Sequence, residues 1–457
     1  MLRIAAPSVT PELAWIVSVL IGEFIGVEYR LDTGEEGLFE IALGPASIVM
    51  PDCFFGAAQA LWLHPDSLPG TSRTMLDLGA LGDEAGVVPN KIPVIYGEAA
   101  QGITQDGQSI RVPIDIFGSA FVMLSRYEEA IVPERDAHGR FPGRASIAWR
   151  YGFRDRPIID EYVAILAACI GRLWPGIAVR RPQPRTVVSC DVDHPYHSGA
   201  RSLSRAFRRS AGELLRKGSL SDALRPMRNY IASRAGDWTH DPYYHTVDWM
   251  MDVNERAGNT VAFNFIPEVT DPVYDGICTI TDSAVRAMLR RIAGRGHEVG
   301  IHPGYRACSE DTNIAFLRRR LECVLDQEGV PRRVSGGRQH YLRWSTRIPP
   351  RWDAAGLVYD STLGYAESGG FRCGTCREYP MYDLHARRPL RTRQRPLVCM
   401  EAAMFDATRV GPSDAAFDAM RSLKQAARRV GGDFTLLWHN SSLDTPRERE
   451  MYCHLIE

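Results

Sequence analysis

The spacing of apolar and polar positions becomes regular part-way along the chain. Seven short runs there are apolar and rich in β-branched residues: TVVSC from Thr186, TVAFNFI from Thr260, EVGI from Glu298, RVSG from Arg333, LVY from Leu357, LVCM from Leu397 and FTLLW from Phe434. Helical periodicity precedes several of them. Ser283 to Ile292 runs up to a Gly before the third, and Ser413 to Val430 ends at Gly431-Gly432 before the last. Ser at a helix start and Gly past its end are the punctuation that capping requires. Strand and helix signals that alternate in this way predict an α/β fold built on a parallel sheet or barrel.

Upstream, the Pro- and Arg-rich stretch Trp174 to Arg185 (WPGIAVRRPQPR) reads as a linker, because its prolines resist both helix and sheet. It separates an expected domain at 1–175 from one at 181–457, the latter with a basic helical insertion at 201–240. The first region looks α/β. A helix is expected after Asp115 (IFGSAFVMLSRYEE), followed by the turn-rich DAHGRFPGRAS, and no chemical constellation stands out. Leu13 to Gly22 is the most apolar stretch near the start. It falls short of the roughly 20 apolar residues a bilayer span needs, and with only Arg3 before it and no small-residue cleavage site it does not read as a signal peptide. A buried helix in a cytoplasmic protein is the expectation.

Composition adds limits. The 457 residues are 45% hydrophobic and 24% charged, enough for a large core and unlike a disordered chain. Lys+Arg 54 against Asp+Glu 55 leaves a net charge of −1, so bulk charge gives no reason to expect nucleic-acid binding. The ten cysteines are scattered, several in apolar runs (Cys169, Cys190, Cys323), where they read as small core residues. Cys373 and Cys376 form a lone CxxC, weak evidence for metal or redox chemistry without a second pair.

The strand ends carry the chemistry. Asp191 and Asp193, Asn264, His302, Arg338 and His340, Asp360, Glu401 and His439 each stand at or just after an expected strand. In parallel α/β barrels the loops at the C-terminal strand ends build the active site. In SCDVDHP two carboxylates two residues apart point the same way in an extended segment, and a cation or shared proton relieves their repulsion. One Asp with two His, from GHEVGIHP and RQHY, leaves open positions on a divalent metal, and a water there attacks an acyl carbon near neutral pH. The second Asp can take a proton and His439 can give one, which amounts to hydrolysis of a C–N or C–O acyl bond.

DVDHP, GHEVGIHP, the Arg of GGRQHY, YDST and LLWHN fall in the order found in the polysaccharide deacetylase family (NodB homology, carbohydrate esterase family four), which the chain resembles over about residues 181–457. More narrowly, RYEE, HGRFP, RQHYLRW, GFRCGTC and LLWHNS resemble the branch with an N-terminal domain of unknown function. The resemblance implies a distorted (β/α)7-type barrel with an N-terminal α/β accessory domain, a divalent metal with zinc foremost, and removal of acetyl groups from N-acylated sugars. It implies Asp191 as base, Asp193 and His302 as metal ligands, Arg338 as the group orienting the base and His439 as acid. The family's second histidine, four residues after His302, is here Arg306, which stays protonated and cannot ligate. His340 is expected to supply the missing imidazole, with His194 and His197 as weaker substitutes; if none does, the domain binds metal weakly or is a pseudoenzyme. His297 reads as structural. Tyr305, Arg306, Tyr341, Asp360, Arg372, Glu401 and Asn440 are expected near substrate, Asp360 and Glu401 alternatively as capping or supporting groups.

Residues 201–234 hold nine Arg/Lys against Glu213 and Asp222. Leu203, Phe207, Ala211, Leu214 and Leu215 recur at helical spacing among Arg201, Arg205, Arg208, Arg209 and Arg216. This pattern suits either a solvated helix packed on the fold or peripheral contact with the inner membrane face, the latter matching a lipid-linked glycan precursor. Three functions are therefore carried: the sugar deacetylase, a small cyclic amide or ureide hydrolase of the same fold, and a non-catalytic glycan-binding or scaffold protein in surface-polysaccharide assembly.

Overall fold

Asp115 shows how short sequence signals set the N-terminal architecture. Its carboxylate accepts from the backbone of Gly118 (2.7 Å), capping the helix Ile116–Leu124, and from Cys53 and Phe54 across the fold (3.0 and 3.1 Å). The expected single helix breaks after Leu124, because Arg126 adopts φ 58° to turn its guanidinium inward onto Glu128 and Glu129, and Tyr127–Ile131 forms a second helix. The apolar stretch near the start is buried as expected. It forms the helix Pro11–Val17 and a wider π-type turn, Ser18–Ile25, ended by Gly26 at φ 76°.

These elements belong to a computed structural model that describes residues 1–70, 73–100, 102–197, 202–217, 220–309, 312–331, 333–408 and 411–457. The chain divides into two compact units, Met1–Arg185 with Leu342–Cys399 and Asp418–Thr435, and Thr186–Tyr341 with Met400–Phe417 and Leu436–Glu457. The first unit thus takes in residues that the linker-based boundary assigned to the second domain. Buried polar bonds explain this. Glu12 accepts from Tyr382 (2.9 Å) and Arg387 (2.7 and 3.0 Å), and Glu129 from Arg372 (2.9 and 2.7 Å). The first unit's six-stranded sheet runs, in spatial order, Tyr29–Thr33, Leu2–Ala6, Leu38–Leu43, Ala46–Pro51, Ser109–Arg111, Thr104–Asp106.

The second unit is built on parallel strands: β1 (Thr186–Asp191), β2 (Val261–Phe265), β3 (Glu298–Ile301), β4 (Gly336–Gly337) and β5 (Phe434–Leu437), whose latter half belongs here. Their order is β4-β3-β2-β1-β5, with β1 to β4 paired in parallel. Val188, Cys190, Val261, Phe263, Phe265, Val299 and Ile301 are all buried, the near-continuous apolar strand character of a sheet covered on both faces. The architecture is mixed α/β as expected. The strands form an open series, and no pairing closes them into the expected barrel among the described residues. The RVSG run shrinks to Gly336–Gly337, since the Val334 N–H is taken by Glu322 (3.1 Å) instead of a ladder partner.

Helices fill the connections: α1 (Leu203–Lys217), α2 (Leu220–Arg234) and α3 (Pro242–Arg256) after β1, α4 (Ser283–Gly294) after β2, α5 (Ile314–Gln327) after β3, then α6 (Glu401–Thr408) and, after β5, α7 (Pro446–Ile456). The expected helix at Ser413–Val430 forms as Asp414–Arg429. In α4 Val285, Met288, Leu289 and Ile292 make the buried i, i+3, i+4, i+7 stripe. Among the described residues no helix is long and apolar enough to cross a membrane. Arg201 of the basic segment lies outside the described residues.

Candidate metal centre

Parallel strands bring their C-terminal ends to one edge, so side chains far apart in sequence meet there. Asp191 ends β1 and Asp193 follows two residues on; His302 directly follows β3, and Arg338 and His340 follow β4. Ligand atoms of Asp193, His302 and His340 all lie within 4.8 Å of one another. Asp193 Oδ1 stands 3.3 Å from His302 Nε2 and 3.6 Å from His340 Nε2. Each imidazole is aimed from behind. His302 Nδ1 donates to the Arg338 carbonyl (2.8 Å) and His340 Nδ1 to Asp275 Oδ1 (2.7 Å). A carbonyl or carboxylate can only accept, so both Nδ1 atoms carry protons and both Nε2 atoms face the cluster, the arrangement that metal-ligating histidines take. Asp193 Oδ1 is buried without a hydrogen-bond donor, which a native interior rarely tolerates and a cation would satisfy. The donor set, one carboxylate and two imidazoles, suits a first-row divalent ion.

Asp191 sits beside this cluster with a different environment. Asn264 Nδ2 donates to its Oδ1 (2.8 Å), Arg338 Nη1 lies 3.6 Å away, and Oδ2 is 3.7 Å from His302 Nε2. Burial pushes its carboxyl up, yet Arg338 and the imidazoles of His302 and His439 outweigh that and hold it below the usual carboxylate range. Arg338 is itself fixed by donating to Ser189 Oγ (2.8 Å). On the other side His439 Nε2 lies 3.7 Å from Asp193 Oδ2, while its Nδ1 and backbone N–H bond Glu401 Oε1 (2.6 and 3.1 Å). Burial favours the neutral imidazole, but Glu401, Asp193 and Asp191 prevail and raise the His439 pKa to about 10. The site therefore juxtaposes an ionised carboxylate, a proton-bearing imidazole and a three-ligand cluster.

Residues 2–175 match a family of unknown function, DUF7033. No curated protein matches the sequence. Among solved structures, the crystal structure of an inferred polysaccharide deacetylase from Mycobacterium smegmatis is similar at 16% identity and a TM-score of 0.39, over 61% of this chain and 84% of that one.

The remaining expected site residues are distributed differently. Arg306 is turned outward and pairs with Asp271 (3.0 Å), so the position four residues after His302 contributes nothing to the cluster. His194 and His197 are outside it too: His197 takes its backbone bond to Asp241, and the His194 carbonyl accepts from Asn440. Asn440 is buried and spans the His194 and Tyr243 carbonyls (2.9 and 3.1 Å), tying two loops together. Glu401 holds His439. Asp360 and Arg372 belong to the other unit, where Asp360 caps the Thr362 turn (2.8 Å) and Arg372 is buried on Glu129. Cys373 and Cys376 are buried there, with Cys376 bonded to Asp160. His297 accepts from the Val261 N–H (3.1 Å).

Tyr305 and Tyr341 do stand next to the cluster, in a group that includes Tyr274. Tyr274 stacks on Tyr305 at 4.0 Å, and Tyr341 lies edge-on to both and 4.8 Å from the His340 ring. Sequence reasoning missed Tyr274 and, more importantly, Asp275. The Asp275 carboxylate accepts from His340, from Tyr305 N (2.6 Å), and from Thr270 N, Thr270 Oγ1 and Asp271 N (2.7, 2.7 and 2.9 Å). These bonds outweigh burial and hold it far below the ordinary carboxylate range.

Proposed function

We propose that the protein is a metal-dependent hydrolase that removes the acyl group from an N-acylated sugar of a polysaccharide or glycan precursor. The observation that carries this reading is the buried Asp193 Oδ1, left without a hydrogen bond between the Nε2 atoms of His302 and His340, whose Nδ1 atoms are each engaged behind the ring. A divalent ion held by Asp193, His302 and His340, zinc by the resemblance, would supply Lewis acidity to an acyl oxygen and lower the pKa of water. Asp191 accepts the proton of the attacking water at Oδ2, because Asn264 occupies Oδ1 and Arg338 keeps the carboxylate charged. His439 holds a proton at Nε2 through neutral pH and delivers it to the departing amine, with Glu401 fixing the ring. The half-buried Tyr274, Tyr305 and Tyr341 offer ring faces and edges of the kind that pack on a sugar.

The test is metal content by mass spectrometry on protein purified without chelator, followed by assays on N-acetylated oligosaccharides and small cyclic amides. Asp191→Asn is expected to keep the ion and lose about 100- to 10,000-fold in kcat. Failure to retain any divalent ion overturns the reading, and turnover of cyclic amides alone moves the substrate away from sugars.

A further inference from the structure

The helical hairpin α1–α2 is packed inside out. Leu203, Phe207 and Leu214 in α1 are 54, 67 and 46% exposed, and Leu220, Leu224 and Ile231 in α2 are 67, 51 and 63% exposed. Each trio follows the spacing i, i+4, i+11, which at about 100° per residue falls within a stripe roughly 40° wide. Small residues lie on the covered side: Ala206 and Ala223 are buried. A soluble helix pair does the reverse, and exposed apolar stripes of this extent mark contact surfaces.

Charge identifies the occupant. Residues 201–234 carry nine basic side chains against two acidic, in a chain whose net charge is −1. Arg208, Arg225, Arg228 and Arg234 are exposed on the same two helices. Two copies meeting through this face would set like charge against like charge, whereas an anionic lipid surface satisfies the apolar stripe and the arginines together. We infer that the α1–α2 hairpin docks on an anionic bilayer surface, apolar stripes in the acyl boundary and arginines at the headgroups.

The hairpin is anchored to the loop that follows Asp193. Asp241, buried at the start of α3, accepts from His197 N (3.1 and 3.0 Å), Asn229 Nδ2 of α2 (2.8 Å) and the backbone of Tyr243 and Tyr244 (3.0 and 3.1 Å). His197 lies on the loop that leaves Asp193, so the docked hairpin and the ligand loop share one anchor. Resting on the hydrolase reading, this narrows the substrate to a glycan carried on a membrane lipid.

The experiment is co-sedimentation of the full chain with phosphatidylglycerol–phosphatidylcholine vesicles and with pure phosphatidylcholine vesicles, at low and high salt. Binding only to the anionic vesicles, weakened by salt, is expected. Arg225→Gln with Arg228→Gln should lower the partition about 25-fold, at roughly fivefold per arginine. Phe207→Glu with Leu224→Glu should lose binding while retaining the wild-type thermal melt and metal content. Absence of binding, equal binding to neutral vesicles, or self-association abolished by the Phe207/Leu224 pair overturns the inference. Vesicle binding by protein that holds no metal removes the hydrolase reading alone, and metal-loaded protein that ignores vesicles removes this inference alone.

Discussion

His340 gives the sharpest test of the metal site, because its ion-free state has a charge that binding must reverse. Burial favours the neutral ring, yet Asp193 and Asp275 outweigh it and raise the pKa to about 9. The ion-free protein therefore holds an imidazolium at neutral pH, with protons on both nitrogens. A cation can take Nε2 only after that proton leaves, so binding releases it and affinity rises with pH. From pH 7 to 9 the two units amount to about 100-fold, or about 2.7 kcal/mol at 1.36 kcal/mol per unit. Zinc affinity read by competition with a chromogenic chelator should climb about tenfold per pH unit and level off near 9. Calorimetry at pH 7 in two buffers of different ionisation enthalpy should return about one proton released. His340→Ala should weaken binding and flatten this slope together. A slope of zero with no proton release, or an unchanged affinity in His340→Ala, would refute His340 as a ligand.

Other perturbations test the surrounding groups. Glu401→Gln keeps the acceptor for His439 but removes the charge that sustains its proton; His439 works protonated, so the alkaline limb of the kcat/KM profile should move down by about one to three units, and an unmoved limb assigns the acid elsewhere. In the first unit, Glu129→Gln leaves the buried guanidiniums of Arg126 and Arg372 without their shared carboxylate and should cost about 3–5 kcal/mol in denaturant unfolding; a loss under about 1 kcal/mol would mean that the pairs contribute little. Gly300→Ala places a methyl group against Asn264 Oδ1, so kcat should fall as Asn264 leaves Asp191, with metal affinity retained; unchanged kcat would show that Asn264 does not position the base.

Much of the site was legible because its chemistry sits within two residues of strand ends, and a parallel sheet converts that linear position into a spatial one. Asp191, Asp193, His302 and His340 needed no knowledge of loop paths. The same rule also pointed to Asp360, in the other unit: the strand end is real and its carboxylate caps its own turn, and periodicity does not tell a capping aspartate from a ligand. The rule also cannot say what stands behind a ligand. Glu401 was visible as a polar residue after a strand, though its bond to His439 was not.

Asp275 was missed for a further reason. It lies ten residues beyond the end of β2 in the irregular loop DPVYDG, where no period fixes direction. The signal that locates it is on another strand. A Cβ on Gly304 would come within 2.6 Å of Asp275 Oδ2 and 2.7 Å of Thr270 Oγ1, and one on Gly300 would strike Asn264 Oδ1. The two glycines of GIHPG flank His302 because side chains reaching across from β2 and its loop occupy the space their own side chains would need. Glycines four residues apart on either side of His302 thus mark the imprint of a neighbouring segment. That segment holds the groups that fix Asp191 and aim His340, so the chemistry at the end of the first strand and the geometry at the end of the fourth are both set by residues attached to the second.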